Sequence, residues 1–361
     1  MRSIKQKGVV TMKALKWIGT GLFFTGLLVG CSSNEGVTNS AIEPPVEESA
    51  TIDQELQDVI AKFQPIGNIP VPDDNPMTEE KVELGKQLYF DTRLSGNNKL
   101  SCFSCHATGA GYGDNLPKFI GFEGHEGARN SPTIINSGYY TSNFWDGRAG
   151  SLEEQALGPI QSEVEMNQNL DELVTELRAV PGYVDQFNQV FNEEIVAENI
   201  AKAIAAFERT ITITDTRFDR FLAGETEALN AQEIEGMKLF AGKANCMSCH
   251  AGPTLSDNNF HNIGLEGDEG RYAVTNQEAD KGKFKTPGLR GVSHTGPFMH
   301  DGSLATLKDV VNYYNDGGSN HPNKDPLMQP LNLTDEEVDV VVAFLESMSG
   351  EVPVVDAPEL P

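Results

Sequence analysis

The sequence predicts an all-α protein of two similar halves with extensive loops. Three observations carry that prediction. Apolar residues recur at helical spacing in several segments, and no alternating stretch is long enough to argue for a substantial sheet. The pattern C-x-x-C-H occurs twice, as Cys102-Phe-Ser-Cys105-His106 and as Cys246-Met-Ser-Cys249-His250. With 35 Gly and 19 Pro, much of the chain must be ordered loop, as expected where a large planar cofactor fills the core in place of side chains.

Taken in order, residues 1–30 contain Lys and Arg but no Asp or Glu, and an apolar run over 17–29 ends Leu28-Val29-Gly30-Cys31. That is the pattern of a signal peptide with the small-residue site at which a bacterial lipoprotein is cut and its new N-terminal Cys31 acylated. A transmembrane anchor would need about 20 apolar residues, more than this run supplies. Met12 is an alternative start to Met1, since Lys13 and Lys16 already give a positive leading region. The expectation is a periplasmic protein, lipid-anchored to a bacterial membrane, the outer one. Removal of Arg2, Lys5, Lys7, Lys13 and Lys16 would move the formal charge from -26 to about -31. Such a surface argues against nucleic acid as a partner and favours a small basic electron carrier.

Residues 31–51 are polar and acidic with Pro44-Pro45, and read as a flexible tether. The folded part divides into an expected domain over 52–215, a second over 216–350, and a tail over 351–361. Glu83-Leu-Gly-Lys-Gln-Leu-Tyr-Phe90 precedes the first C-x-x-C-H motif and Glu235-Gly-Met-Lys-Leu-Phe240 the second, so duplication of one unit is the economical explanation. A helix is predicted over about 171–179, stopped by Pro181-Gly182. Ile200, Ile204, Phe207 and Ile211 form one face of a long helix joining the halves. Thr334 and Glu337 make a capping box, followed on one stripe by Val338, Val341, Val342 and Leu345.

C-x-x-C-H is the attachment pattern of c-type haem. Two thiols add across the vinyl groups, and the adjoining His supplies a neutral imidazole nitrogen to the iron. A thioredoxin-like pair needs no trailing His, and the two C-x-x-C pairs of a zinc site normally lie much closer than these two. Two covalent c-type haems are therefore expected, on Cys102, Cys105 and His106 and on Cys246, Cys249 and His250. Export agrees with this, because c-type attachment is made outside the bacterial cytoplasm.

Five further blocks carry a resemblance: Arg129-Asn-Ser-Pro-Thr-Ile-Ile-Asn136, Asn143-Phe-Trp-Asp-Gly-Arg-Ala149, Val164-Glu-Met166, Ala206-Phe-Glu-Arg-Thr210 and Pro297-Phe-Met-His-Asp-Gly-Ser303. In letters, order and spacing they resemble the bacterial di-haem cytochrome c peroxidases over about 77–350. The resemblance implies two cytochrome c-like haem domains with a calcium ion at their interface. It implies His125 as a removable distal ligand of the first haem, the alternative being a surface loop His. It also implies Glu165 as the acid-base carboxylate, which would move a proton between the peroxide oxygens so that water departs. A solvated Glu165, with Glu163 two residues away, is the competing assignment. Gln155 matches the hydrogen-bonding partner in that pocket, against an ordinary helix-surface amide. Trp145, the only Trp outside the expected signal peptide, matches the relay between the haems, against a core Trp without redox role. Asn130, Thr295 and Pro297 align with the calcium ligands, against loop positions with structural roles. Arg148 and Arg290 are candidates to pair with haem propionates.

The second haem departs from the best-known pattern. Where those enzymes place a Met as sixth ligand, this chain has Tyr314, which resembles the MauG-like branch that oxidises residues of a partner protein; Met299 is the second candidate. The first expectation is a peroxidase reducing hydrogen peroxide with electrons from a small cytochrome c or copper protein. A MauG-like oxidase and a plain di-haem electron carrier are the alternatives. The oligomeric state is not legible, a homodimer being one arrangement.

Overall fold

A computed structural model describes residues 53–361. The expected signal peptide, Cys31 and the tether lie outside the described residues. Among the described residues the α-helices are α1 (Gln54–Ile60), α2 (Glu79–Phe90), α3 (Cys102–Cys105), α4 (Leu152–Gln161), α5 (Leu170–Arg178), α6 (Pro181–Phe191), α7 (Ala197–Glu208), α8 (Arg217–Leu222), α9 (Ala231–Ala241), α10 (Tyr272–Thr275), α11 (Leu307–Asn315) and α12 (Asp335–Ser347). Short 3-10 turns and long loops connect them.

The fold is mostly helical but not purely so. Strand β1 (Phe260–His261) pairs antiparallel with β2 (Phe284–Lys285), Phe260 opposite Lys285 and His261 opposite Phe284. Two residues per strand leave no alternation for a sequence to display, which is why an all-α chain was expected.

Each half is built on one crossing of two helices at a glycine. In the first, α2 lies against α7, and a Cβ on Gly85 would stand 1.9 Å from the carbonyl oxygen of Ala203. In the second, α9 lies against α12, and a Cβ on Gly236 would stand 2.0 Å from the oxygen of Val340. The repeat legible before each motif is thus a repeat of packing. Helix α7 does not bridge the halves as expected. It packs chiefly on α2, α4 and α5, because Leu84 and Leu88 of α2 complete the apolar stripe of Ile200 and Ile204. Pro181 stops α5 as predicted and also opens α6 at its first turn, where its missing N–H costs nothing. The Thr334–Glu337 capping box forms, and Val338, Val341 and Leu345 are buried behind it.

The chain ends cross over. Leu56 and Val59 of α1, with Phe63 after it, join the second half's core, and the Phe63 ring meets Phe218 edge-on at 5.2 Å. Val352 and Val355 of the tail pack on Tyr89, Tyr112 and Phe207 of the first half. Residues 53–361 accordingly fall within one unit.

Candidate haem and active site

The first C-x-x-C-H motif occupies the single turn of α3, with the Ser101 N–H donating to Ser104 Oγ at 3.0 Å. The His106 N–H bonds back to the Cys102 carbonyl at 3.0 Å. In the second, a 3-10 turn over Cys246–Ser248 does the same work, and the His250 N–H reaches the Cys246 carbonyl at 2.9 Å. Both turns bring two thiols and one imidazole to the lining of one cavity. All four cysteines are unpaired.

Each imidazole is held by its Nδ1. That of His106 lies 3.1 Å from the carbonyl of Tyr112, and that of His250 lies 3.0 Å from the carbonyl of Leu255. Tyr112 and Leu255 are both in the left-handed region, each with φ 58°, a conformation that bulky residues adopt only when packing enforces it. The carbonyls of Pro132 and Pro287 also approach the two imidazoles. Burial first of all lowers both histidine pKa values, so the rings are neutral, with Nδ1–H donating and Nε2 free for a metal.

Between the motifs runs one cavity of about 900 Å³ lined by Cys102, Cys105, His106, Cys246, Cys249 and His250. Its walls are largely apolar, including Ile134, Phe144, Leu152, Phe240, Leu289 and Val311. Paired thiols, an imidazole fixed by a backbone carbonyl and an apolar slot at each end fit two covalently held haems.

Glu165, Gln155 and Trp145 all line this cavity. Glu165 sits in the turn after α4, and its pKa is raised by burial, with the Arg148 guanidinium and a Ser162 hydrogen bond partly opposing that rise. Glu163 is exposed and lies outside the lining, so the geometry separates the two carboxylates that the sequence left in competition. Gln155 projects from α4, whose first turn is capped by Ser151. Trp145 is clamped from both sides: its indole N–H donates to the Asn130 carbonyl at 2.9 Å, while its own carbonyl accepts the Lys285 N–H at 2.8 Å. The His300 ring meets it edge-on at 6.5 Å.

His125 is not brought to the cavity. It is exposed, its Nδ1 lies 2.7 Å from the Phe122 carbonyl, and it is absent from the lining. At the second motif, Tyr314 of α11 and Met299 both line the cavity, and so does Met328, which sequence reasoning passed over. Burial pushes the Tyr314 phenol pKa well up, with the nearby Cys249 and Cys246 sulfurs adding to the rise. Asn130, Thr295 and Pro297 line the same cavity, and the Asn130 N–H donates to the His300 carbonyl at 2.8 Å, joining their two loops.

The arginines expected to face propionates are taken by carboxylates. Arg148 pairs with Asp146 and lies 3.4 Å above the Phe144 ring; Arg290 is held by Asp219 and the Pro253 carbonyl. Arg129, too, bridges Asp146 and Asp268. Two buried ionisable residues on the cavity wall, Lys285 and Glu208, had no signal in the sequence beyond their residue type.

Residues 79–227 match the family model of di-haem cytochrome c peroxidase, and residues 234–349 match that of cytochrome c. The chain is 41% identical over 341 residues to cytochrome-c peroxidase IdrP1 of Denitromonas iodatirespirans, covering 83% of this chain and 91% of that protein. It is 39% identical over 322 residues to the methylamine utilization protein MauG of Methylorubrum extorquens, covering 87% and 91%. Among solved structures, a MauG-like protein associated with microbial copper homeostasis superposes with a TM-score of 0.74 at 34% identity, over 79% of this chain and 94% of that one.

Proposed function

The chain belongs to the di-haem cytochrome c peroxidase family, and on that premise we propose that it reduces hydrogen peroxide to water beside the first C-x-x-C-H motif, with electrons delivered one at a time by a small cytochrome c or copper protein. When bound through Cys102, Cys105 and His106 and through Cys246, Cys249 and His250, the two c-type haems would supply the redox chemistry that peroxide reduction needs. The remaining work falls to this chain's side chains. Glu165 stands at the cavity wall as the group that takes and returns a proton, and burial raises its pKa towards the working range of a general acid and base. Glu165 takes a proton from one peroxide oxygen and returns it to the other, so that O–O cleavage releases one water, and the remaining oxygen leaves as a second water once two electrons from the donor and two protons from solvent have been taken up. The Gln155 amide orients peroxide by hydrogen bonding, and Trp145, clamped between loops of the two halves, is the aromatic suited to carry an electron between them.

The position of Glu165 carries this reading, because a plain electron carrier has no use for a buried carboxyl and an amide on an open cavity. Glu165→Gln should retain two covalent haems and lose about 10²- to 10⁴-fold in peroxide turnover, whereas Glu163→Gln should stay near the parent. Turnover of Glu165→Gln within a few-fold of the parent would reject the assignment. The loop of His125 is tied to the backbone of this residue, since the Phe122 N–H donates to the Glu165 main-chain carbonyl at 2.8 Å.

A MauG-like oxidation of a partner protein is the second reading, and Tyr314 on the cavity wall favours it. An anionic phenolate lowers an iron potential, whereas a thioether raises it. Tyr314→Phe should abolish the low-spin signal of the second haem while Met299→Leu and Met328→Leu preserve it. The reverse outcome would assign a thioether and return the chain to the ordinary peroxidases. We further propose a calcium ion on Asn130, Thr295 and Pro297, whose amide and carbonyl oxygens suit a hard cation. Periplasmic location with an acylated Cys31 completes the proposal, supported by the apolar run and small-residue site before that cysteine.

A further inference from the structure

Lys285 is 8% exposed and stands on the wall of the two-motif cavity. Among the described residues no carboxylate pairs with its ammonium, whose recorded neighbour is the Tyr140 ring, 3.9 Å away at its centroid. The buried Arg290 and the partly buried Arg129 differ. Arg129 and Arg290 are paired with aspartates, and the distant Lys81 donates to Asn75 Oδ1 and the Pro76 carbonyl. A buried ammonium without an anion is costly, and burial alone pushes the Lys285 pKa down to about 8. The described residues thus offer this wall's cation no anion of their own.

The repeat locates where such an anion sits. Phe284-Lys285-Thr286-Pro287 is the second-half counterpart of Arg129-Asn130-Ser131-Pro132, because Pro287 and Pro132 present carbonyls to the imidazoles of His250 and His106. Two residues before each proline, the backbone grips Trp145: Asn130 accepts its indole N–H, and Lys285 donates to its carbonyl. Lys285 is thus placed at the edge of the second motif's slot, at the junction with Trp145. We propose that Lys285 pairs with a propionate carboxylate of the second haem, as a positioning residue that fixes that haem's edge at Trp145 and holds its reduction potential up.

The proposal rests on the two-haem reading, so covalent haem is counted first in every variant. Lys285→Met and Lys285→Gln remove the charge, and Lys285→Arg keeps it. With two haems attached, both neutral variants should lower the potential of the second haem by about tenfold in the one-electron equilibrium, or about 59 mV, in spectroelectrochemical titration, and the Arg variant should restore most of it. The first haem should move less. Should the neutral variants fail to retain the second haem while Lys285→Arg retains it, the charge is needed for seating, which also supports the pairing. Equal potentials in parent and neutral variants would overturn it, as would loss of the haem in all three variants, which marks a packing role. Peroxide turnover by the parent tests the family reading separately, since no Lys285 outcome depends on it.

Discussion

Glu208 is 4% exposed on the cavity side of α7, and its Oε2 has no hydrogen-bond partner. Burial is the main cause that pushes its pKa up to about 8; the Arg209 guanidinium pulls it down and the Glu153 carboxylate adds to the rise. The folded chain therefore keeps a proton that the unfolded chain releases near the ordinary glutamate range. Stability from this group is fully present below that range and is lost as pH climbs towards about 8. Glu208→Gln fixes the neutral form, and although the amide has its own desolvation cost, that cost is the same at every pH. In thermal unfolding of the haem-loaded protein, the variant should gain on the parent progressively between about pH 4.5 and pH 8. A constant offset across that range would mean that Glu208 is ionised in the fold. Neither Glu208 nor Lys285 was legible as buried and unpaired, because sequence gives residue type while burial is decided by segments far apart in the chain. Glu165 was legible through its distance from Trp145, yet its choice over Glu163 needed the turn after α4 to turn one inward and the other out.

At the scale of elements, the two glycine crossings set the tightest constraint. A methyl group on Gly85 or Gly236 would meet backbone oxygen, not the end of a flexible side chain, so α2 would have to lift from α7, or α9 from α12. Overpacking of this kind typically costs about 1–3 kcal/mol, and rigid backbone puts these sites at the upper end. Gly85→Ala and Gly236→Ala should each lower the denaturant midpoint without changing its slope, while Gly67→Ala, where a Cβ meets nothing within 4 Å, should be nearly silent. A midpoint for Gly236→Ala within error of the parent would show that the crossing relaxes freely. The letters of the repeat were readable before each motif, but the reason for its glycine was not, because close approach is a property of two helices. Helices marked by a cap or a stripe were read correctly: α12 from Thr334 and Glu337, α5 from its proline stop. The span of α7 was misjudged because its stripe continues to Ile211, which is buried beyond the helix end.

Over the whole molecule, the crossed termini make each half depend on a segment from the opposite end of the chain. The tail reaches the first motif through a short relay: Tyr112 Oη donates to the Pro353 carbonyl at 2.9 Å, and the Tyr112 carbonyl in turn receives the Nδ1 of His106. Val352 and Val355 add apolar cover to the same cluster, and Arg93 holds the terminal Pro361 carbonyl at 3.2 Å. At the other end, Phe63 fills the aromatic cluster of Phe218, Phe240 and Phe344 behind the second motif. Two perturbations should therefore act crosswise. Deleting residues 351–361 should cost roughly 1–3 kcal/mol from lost burial and two hydrogen bonds, and should disturb the spectrum of the first haem while sparing the second. Phe63→Ala, by emptying a packed aromatic site, should cost about 3–5 kcal/mol and disturb the second haem first. Hydrogen exchange followed by mass spectrometry reads this directly, with protection falling over α2 and α7 in the truncation and over α9 and α12 in Phe63→Ala. If both changes loosened the same half, the halves would be coupled through the cavity rather than braced by their exchanged ends.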